Sequence, residues 1–211
     1  MAFHGNAEIA AWSVPWAREV ARRTGYTVVL PEYRGYAGLP GSPNYDCSRR
    51  DAHAAYSAVV PPDQRAPGVV ALFGHSLGTA VAAELAEDLT RAGTPPRVLV
   101  LQSPFTSAKA MARIVISEGV ERWWLRISRV HFDTEALVAE LDIPVWVAHG
   151  ERDLIIPVRM GRQVHARARR SGELFLVDTA GHNDVEDVGG WRYWAWLERA
   201  LAPREAGSAG Q

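Results

Sequence analysis

Three residue types that cooperate in acyl-transfer chemistry stand at well-separated points of this chain. Ser76 lies in Gly74-His75-Ser76-Leu77-Gly78, where an apolar run gives way at once to helix-forming residues. A serine at so abrupt a corner is held in strained backbone with its hydroxyl pointing out of the turn. Gly74 and Gly78 carry no side chain, so the turn can close and the helix can pack on the strand. The helix start also presents unpaired N–H groups and a positive dipole end, which places the N–H of Leu77 to stabilise an oxyanion. A hydroxyl is a weak nucleophile without a base. Of the seven histidines, His182 stands in "DTAGHNDV", a short loop just past the last strand-like run. His53 and His165 fall inside helical segments, His131 in a polar connector and His149 at a strand end. His75 adjoins the serine but points the other way across the turn. An imidazole base needs a carboxylate to fix its tautomer and stabilise its charged form. Asp153, in "VWVAHGERDLIIP", follows the strand ending at His149, and Glu151 ranks second. Asp178, Asp184 and Asp187 lie too close to His182 along the chain to reach its far nitrogen. A second oxyanion donor is expected from the Gly-bearing turn "FHGNAE" at residues 3–8, in the N–H of Asn6.

These groups need a scaffold that gathers distant loops on one rim. Strand-like runs are read at 26–33, 68–73, 97–103, 143–150 and 173–180, and helical runs at 46–60, 76–92, 157–170 and 188–201. The Gly/Pro-rich stretch 33–43 is a loop. Runs such as "GVVALF" do not alternate with polar residues, so the strands are buried on both faces. Strand–helix alternation of this kind implies an α/β fold with a mostly parallel sheet and helices on both faces. In such sheets functional groups collect at the loops leaving the carboxyl ends of the strands, which is where Ser76, Asp153 and His182 fall.

The length of 211 residues suits one domain, expected over residues 1–203, with a flexible tail at 204–211. A net charge of −1 with no basic stripe argues against nucleic acid as a partner. The single cysteine, Cys47, excludes an internal disulfide and fits a reducing, cytoplasmic setting. No apolar run reaches the roughly 18 residues of a membrane helix.

Together, "HGNAE" (4–8), "YRGYAGLPGSP" (33–43), "GHSLGTAVA" (74–82), "SPFTS" (103–107), "HGERDLIIP" (149–157) and "GHNDV" (181–185) resemble the α/β-hydrolase superfamily. Within it the chain is similar to the serine-hydrolase branch of Bem46-like and ABHD13-like proteins. The order Ser76, Asp153, His182 is the order of the nucleophile-elbow hydrolases. The resemblance implies a three-layer α/β-hydrolase fold, those three residues as a catalytic triad, and Asn6 and Leu77 as oxyanion donors. It implies no metal and no cofactor. The expected reaction is hydrolysis of a small-molecule carboxylic ester or thioester through an acyl-enzyme. The competing expectation is an inactive α/β-hydrolase-like protein.

The resemblance also sets two further expectations. A short lid is expected at about 104–142, where Trp123 and Trp124 could line an acyl pocket. Tyr33 and Arg34 either face the site or support the backbone. The family places a long strand ahead of "HGN", between the runs at 26–33 and 68–73, yet only Met1–Phe3 precede His4. Three residues are too few to pair across that gap. The chain is therefore expected to be N-terminally truncated relative to the working protein, which leaves membrane contact through an absent segment open.

Overall fold

The computed structural model describes residues 1–115 and 132–202. Its centre is a five-stranded, wholly parallel sheet in which the strands lie side by side in chain order. The strands are β1 (Ala2–Phe3), β2 (Leu72–His75), β3 (Leu99–Gln102), β4 (Val145–Gly150) and β5 (Ser171–Val177). Among the described residues seven α-helices surround them: α1 (Val14–Thr24), α2 (Tyr45–Val59), α3 (Leu77–Arg91), α4 (Ala108–Val115), α5 (Thr134–Glu140), α6 (Val158–Arg167) and α7 (Val185–Leu201).

The sheet divides the apolar residues into two cores, as expected for strands buried on both faces. One core joins Phe3, Leu72, Leu99, Leu101, Val145 and Val147 to the α3 residues Val81, Leu85 and Leu89. The other joins Phe73, Val100, Ala148 and Val177 to Val20 of α1 and to Tyr193, Trp196 and Leu197 of α7. Alternation along β2 therefore sends Leu72 and Gly74 toward α3, and Phe73 and His75 toward α1 and α7. Trp194 and Trp196 join this second core, while Trp191 stays exposed. Helix α7 bends at Gly190, whose φ of 52° is left-handed.

Two sequence expectations need correction. The run 26–33 is not a strand of this sheet, although its β-branched residues favour one. Propensity needs a partner ladder to be realised, and here the neighbour is the two-residue β1. A single bond, Ala2 N–H to Val29 O at 2.9 Å, joins the run to β1. Met1–Phe3 fill the gap only at its carboxyl end. Ala2 and Phe3 pair with Phe73 and Gly74, and Phe73 N–H donates to Met1 O at 2.9 Å. The contact is confined to the carboxyl edge of the sheet. Below it lies an apolar cleft of about 220 Å³ lined by Met1, Val28, Val70 and Leu201, among others. The strand read at 68–73 begins only at Leu72, because residues 66–69 are taken up by a turn with Val69 N–H donating to Ala66 O.

Within the expected lid, α4 and α5 belong to the described residues, and Ser107 and Asp133 bridge their ends. Trp123 and Trp124 lie outside the described residues, as does the tail 204–211. Among the described residues no helix is long and apolar enough to cross a membrane.

Candidate active site

Ser76 occupies the single residue between β2 and α3, with φ 52° and ψ −118°. A non-glycine residue is driven into that region only when its surroundings over-determine it. Here they do. Ser76 N–H donates to Gln102 O at 3.0 Å, and its carbonyl accepts from the Thr79 N–H and hydroxyl at 3.0 and 2.6 Å. The flanking glycines are required by contact. A Cβ on Gly74 would stand 2.2 Å from Gly78 O, and one on Gly78 would stand 2.1 Å from Phe3 O. The second approach brings the end of β1, and so the loop after it, against the start of α3.

The Ser76 hydroxyl lies 3.0 Å from His182 Nε2, and His182 Nδ1 lies 2.7 Å from Asp153 Oδ2. The three predicted residues thus converge from the loops after β2, β4 and β5. The other Asp153 oxygen accepts the N–H groups of Ile155 and Ile156, both at 2.8 Å. Burial works to raise the Asp153 carboxyl, but the His182 hydrogen bond, these amides and the His182 charge outweigh it, leaving the group below the usual aspartate value. An ionised carboxylate on Nδ1 leaves Nε2 free to accept the serine proton. The His182 loop is pressed against the end of β4, where a Cβ on Gly150 would come within 2.2 Å of Gly181 O. Gly181 N–H donates to Asp184 Oδ1 at 2.6 Å, closing the turn that leads into α7. Glu151 pairs instead with Arg162 and plays no part here.

Asn6 and Leu77 both line the cavity into which Ser76 opens. Among the described residues the N–H groups of Asn6 and Leu77 make no hydrogen bond. Gly5 carries this loop onto the serine, since a Cβ there would lie 3.1 Å from Ser76 Cβ. His4 anchors it. Its ring is buried against Tyr33 with centroids 4.4 Å apart, and its Nε2 lies 2.8 Å from Glu32 Oε1. Tyr33 donates its hydroxyl to His4 O at 3.1 Å, and Arg34 pairs with Asp51. Tyr33 therefore supports backbone, Arg34 ties its loop to α2, and neither lines the cavity over Ser76.

The cavity over Ser76 measures about 520 Å³ and is mainly apolar, with Phe105, Met111, Ala112, Phe132 and Ile156 among its walls. Tyr36 contributes at the mouth, its hydroxyl donating to Asn6 Oδ1 at 2.6 Å. The sequence reading missed Tyr36, which differs from the other tyrosine of its loop by no local signal. It also missed Ser103, in left-handed backbone after β3, whose hydroxyl donates to His182 O at 3.4 Å. Among the described residues no group of three or more His, Cys, Asp or Glu side chains is arranged to hold a metal ion.

A parallel α/β sheet with a serine on a strained strand-to-helix corner and a His–Asp pair on later loops defines the class of nucleophile-elbow folds. The chain belongs to the alpha/beta hydrolase family, whose sequence profile matches residues 3–209. It is 35% identical over 169 residues to the uncharacterised protein Rv2307c of Mycobacterium tuberculosis, covering 79% of this chain and 56% of that one. It is 32% identical over 167 residues to the lysophosphatidylserine lipase ABHD12 of Danio rerio, covering 74% and 43% respectively. The chain thus spans about half the length of these relatives. In structure it superposes on a monoacylglycerol lipase from Paleococcus ferrophilus with a TM-score of 0.67 at 17% identity, covering 95% of this chain and 92% of that one. An alpha-beta hydrolase from Vibrio vulnificus gives a TM-score of 0.72 at 19% identity, covering 94% and 72%. At such identities the likeness speaks for the fold.

Proposed function

We propose that this chain is a serine hydrolase that cleaves carboxylic esters or thioesters of small molecules through an acyl-enzyme. The reading rests on one observation: the hydroxyl of a strained Ser76 stands 3.0 Å from His182 Nε2 at the floor of an apolar cavity. Ser76 Oγ attacks the carbonyl carbon while His182 Nε2 takes its proton. The carbonyl electrons move onto oxygen, and the N–H groups of Asn6 and Leu77 hold that charge. Asp153 stabilises the imidazolium. As the tetrahedral intermediate collapses, His182 returns the proton to the departing alcohol or thiol, leaving Ser76 acylated. Water, deprotonated by His182, then repeats the sequence and frees the acid.

The apolar walls suit the acyl part of the substrate, and the open, more polar mouth at Asn6 and Tyr36 suits its leaving group. The lipase names of the ABHD12 relative and the Paleococcus ferrophilus neighbour support an ester as the bond cleaved. Turnover of p-nitrophenyl butyrate by the purified chain tests the reading. Ser76→Ala is expected to lower kcat by about 10⁴-fold or more, because it removes the hydroxyl that carries the acyl group. Wild-type turnover that survives this substitution would remove Ser76 from the reaction.

A further inference from the structure

We propose that Glu8 and His75 form a positioning pair that ties the oxyanion loop to the loop carrying His182. The inference rests on the hydrolase reading above and adds two residues that no step of it uses. His75 ends β2 next to the nucleophile, but strand alternation turns its ring toward α1 and α7. There its Nε2 lies 3.2 Å from the carbonyl oxygen of His182, with the two rings 5.1 Å apart between centroids. Its Nδ1 lies 3.0 Å from Glu8 Oε1. Glu8 Oε2 in turn accepts the Gly5 N–H at 2.7 Å.

The result is a continuous path of three contacts at hydrogen-bonding distance, from Gly5 N–H through Glu8 and His75 to His182 O. One end adjoins Asn6, whose N–H is an oxyanion donor in the proposed mechanism. The other end is the backbone of the base itself. Burial works to raise the Glu8 carboxyl, but the His75 hydrogen bond and charge, with the Gly5 amide, hold it below the usual glutamate value. Glu8 is therefore the charged acceptor that this path requires. The His75 and Glu8 side chains are 12% and 24% exposed. Neither residue lines the cavity over Ser76. Both line a separate cavity of about 310 Å³, so they act through the loops they hold and touch no substrate. Sub-ångström placement of oxyanion donor and base relative to Ser76 governs the barrier far more than substrate affinity.

The test compares steady-state hydrolysis of p-nitrophenyl butyrate and thermal melts across Glu8→Ala, Glu8→Gln, His75→Phe and the Glu8→Ala/His75→Phe double variant. Each of Glu8→Ala and His75→Phe is expected to lower kcat about tenfold or more, with KM within about twofold. The double variant should fall no further than the worse single variant, because one broken link already severs the path. Glu8→Gln should stay within about threefold of wild type. Its amide oxygen can accept from Gly5 N–H and its amide N–H can donate to a His75 Nδ1 lone pair. Additive losses, a change confined to KM, or Glu8→Gln falling as far as Glu8→Ala would overturn the proposal. If Glu8→Ala does not fold, Glu8→Gln against His75→Phe decides it: a fall in kcat for His75→Phe alone upholds the pair, and equal kcat overturns it. Ester turnover by wild type that is lost in Ser76→Ala comes first. Its failure overturns both readings, whereas turnover indifferent to Glu8 and His75 overturns this one alone.

Discussion

At the scale of single residues, the site depends on a carboxylate held ionised in a buried position. Asp153 receives two backbone amides and the His182 imidazole, and these more than offset the cost of burial. Its carboxyl therefore titrates lower in the folded chain than the value of about 3.9 expected unfolded. A depressed acid binds fewer protons when folded. Its stabilising contribution is complete above the unfolded value and is lost as pH falls through the folded one. Asp153→Asn should thus do two things. It should lower kcat by about 10⁴-fold by presenting the wrong tautomer of His182 to Ser76. It should also flatten the fall in unfolding free energy between pH 5 and pH 2, measured by urea titration. An acid limb as steep as that of wild type would show that the hydrogen bonds around Asp153 are weaker than their geometry indicates. Ser76, Asp153 and His182 were all legible in the sequence, because each sits where an apolar run ends and chemistry-bearing residues begin. Glu8 was not. His75 turns away from the serine, and nothing local in "HGNAE" announces that its carboxylate meets that ring.

At the scale of elements, the corner between β2 and α3 is built from contact rather than from propensity. Leu77 opens α3 directly after Ser76, and Gly78, the second residue of the helix, lies against the backbone of Phe3. Gly78→Ala would push a methyl group to 2.1 Å from Phe3 O, where neither side is a flexible side chain. It should cost about 2 kcal/mol or more in stability, read by denaturant melts, and should lower kcat through displacement of β1 and the Asn6 loop that follows it. A fully stable, fully active Gly78→Ala protein would show that the approach of β1 to α3 is looser than described. The sequence signalled this glycine through the motif, and α2, α3 and α6 through their helical character. Other elements were less readable. The run at 26–33 reads as a strand in isolation, yet its pairing depends on a neighbour only two residues long. Helix α1 carries Pro15 and Trp16 near its start and went unread, because its apolar stripe is narrow and its partner, α7, lies far along the chain.

At the scale of the whole molecule, Asn6, Ser76, Asp153 and His182 all come from the carboxyl edge of one parallel sheet. β1 leads into the Asn6 loop, β2 into Ser76, β4 into Asp153 and β5 into His182, and β3 supplies Ser103 between them. Residues separated by 176 positions along the chain, Asn6 and His182, are brought to one rim by that register. Strand–helix alternation made this architecture readable from the sequence. The gap beside β1 was readable too, because only three residues precede His4, whereas the pairing of Ala2 and Phe3 with β2 was not, because it follows from where the neighbouring backbone lies.

The central claim, that folding makes Ser76 a nucleophile, is tested most directly by incubating the chain with a fluorophosphonate probe and mapping the adduct by mass spectrometry. Our account predicts one phosphonyl group per folded molecule, carried on Ser76, with no labelling of Ser76→Ala or of urea-unfolded protein. A folded chain that stays unlabelled, or one that carries the adduct on another residue, would contradict it.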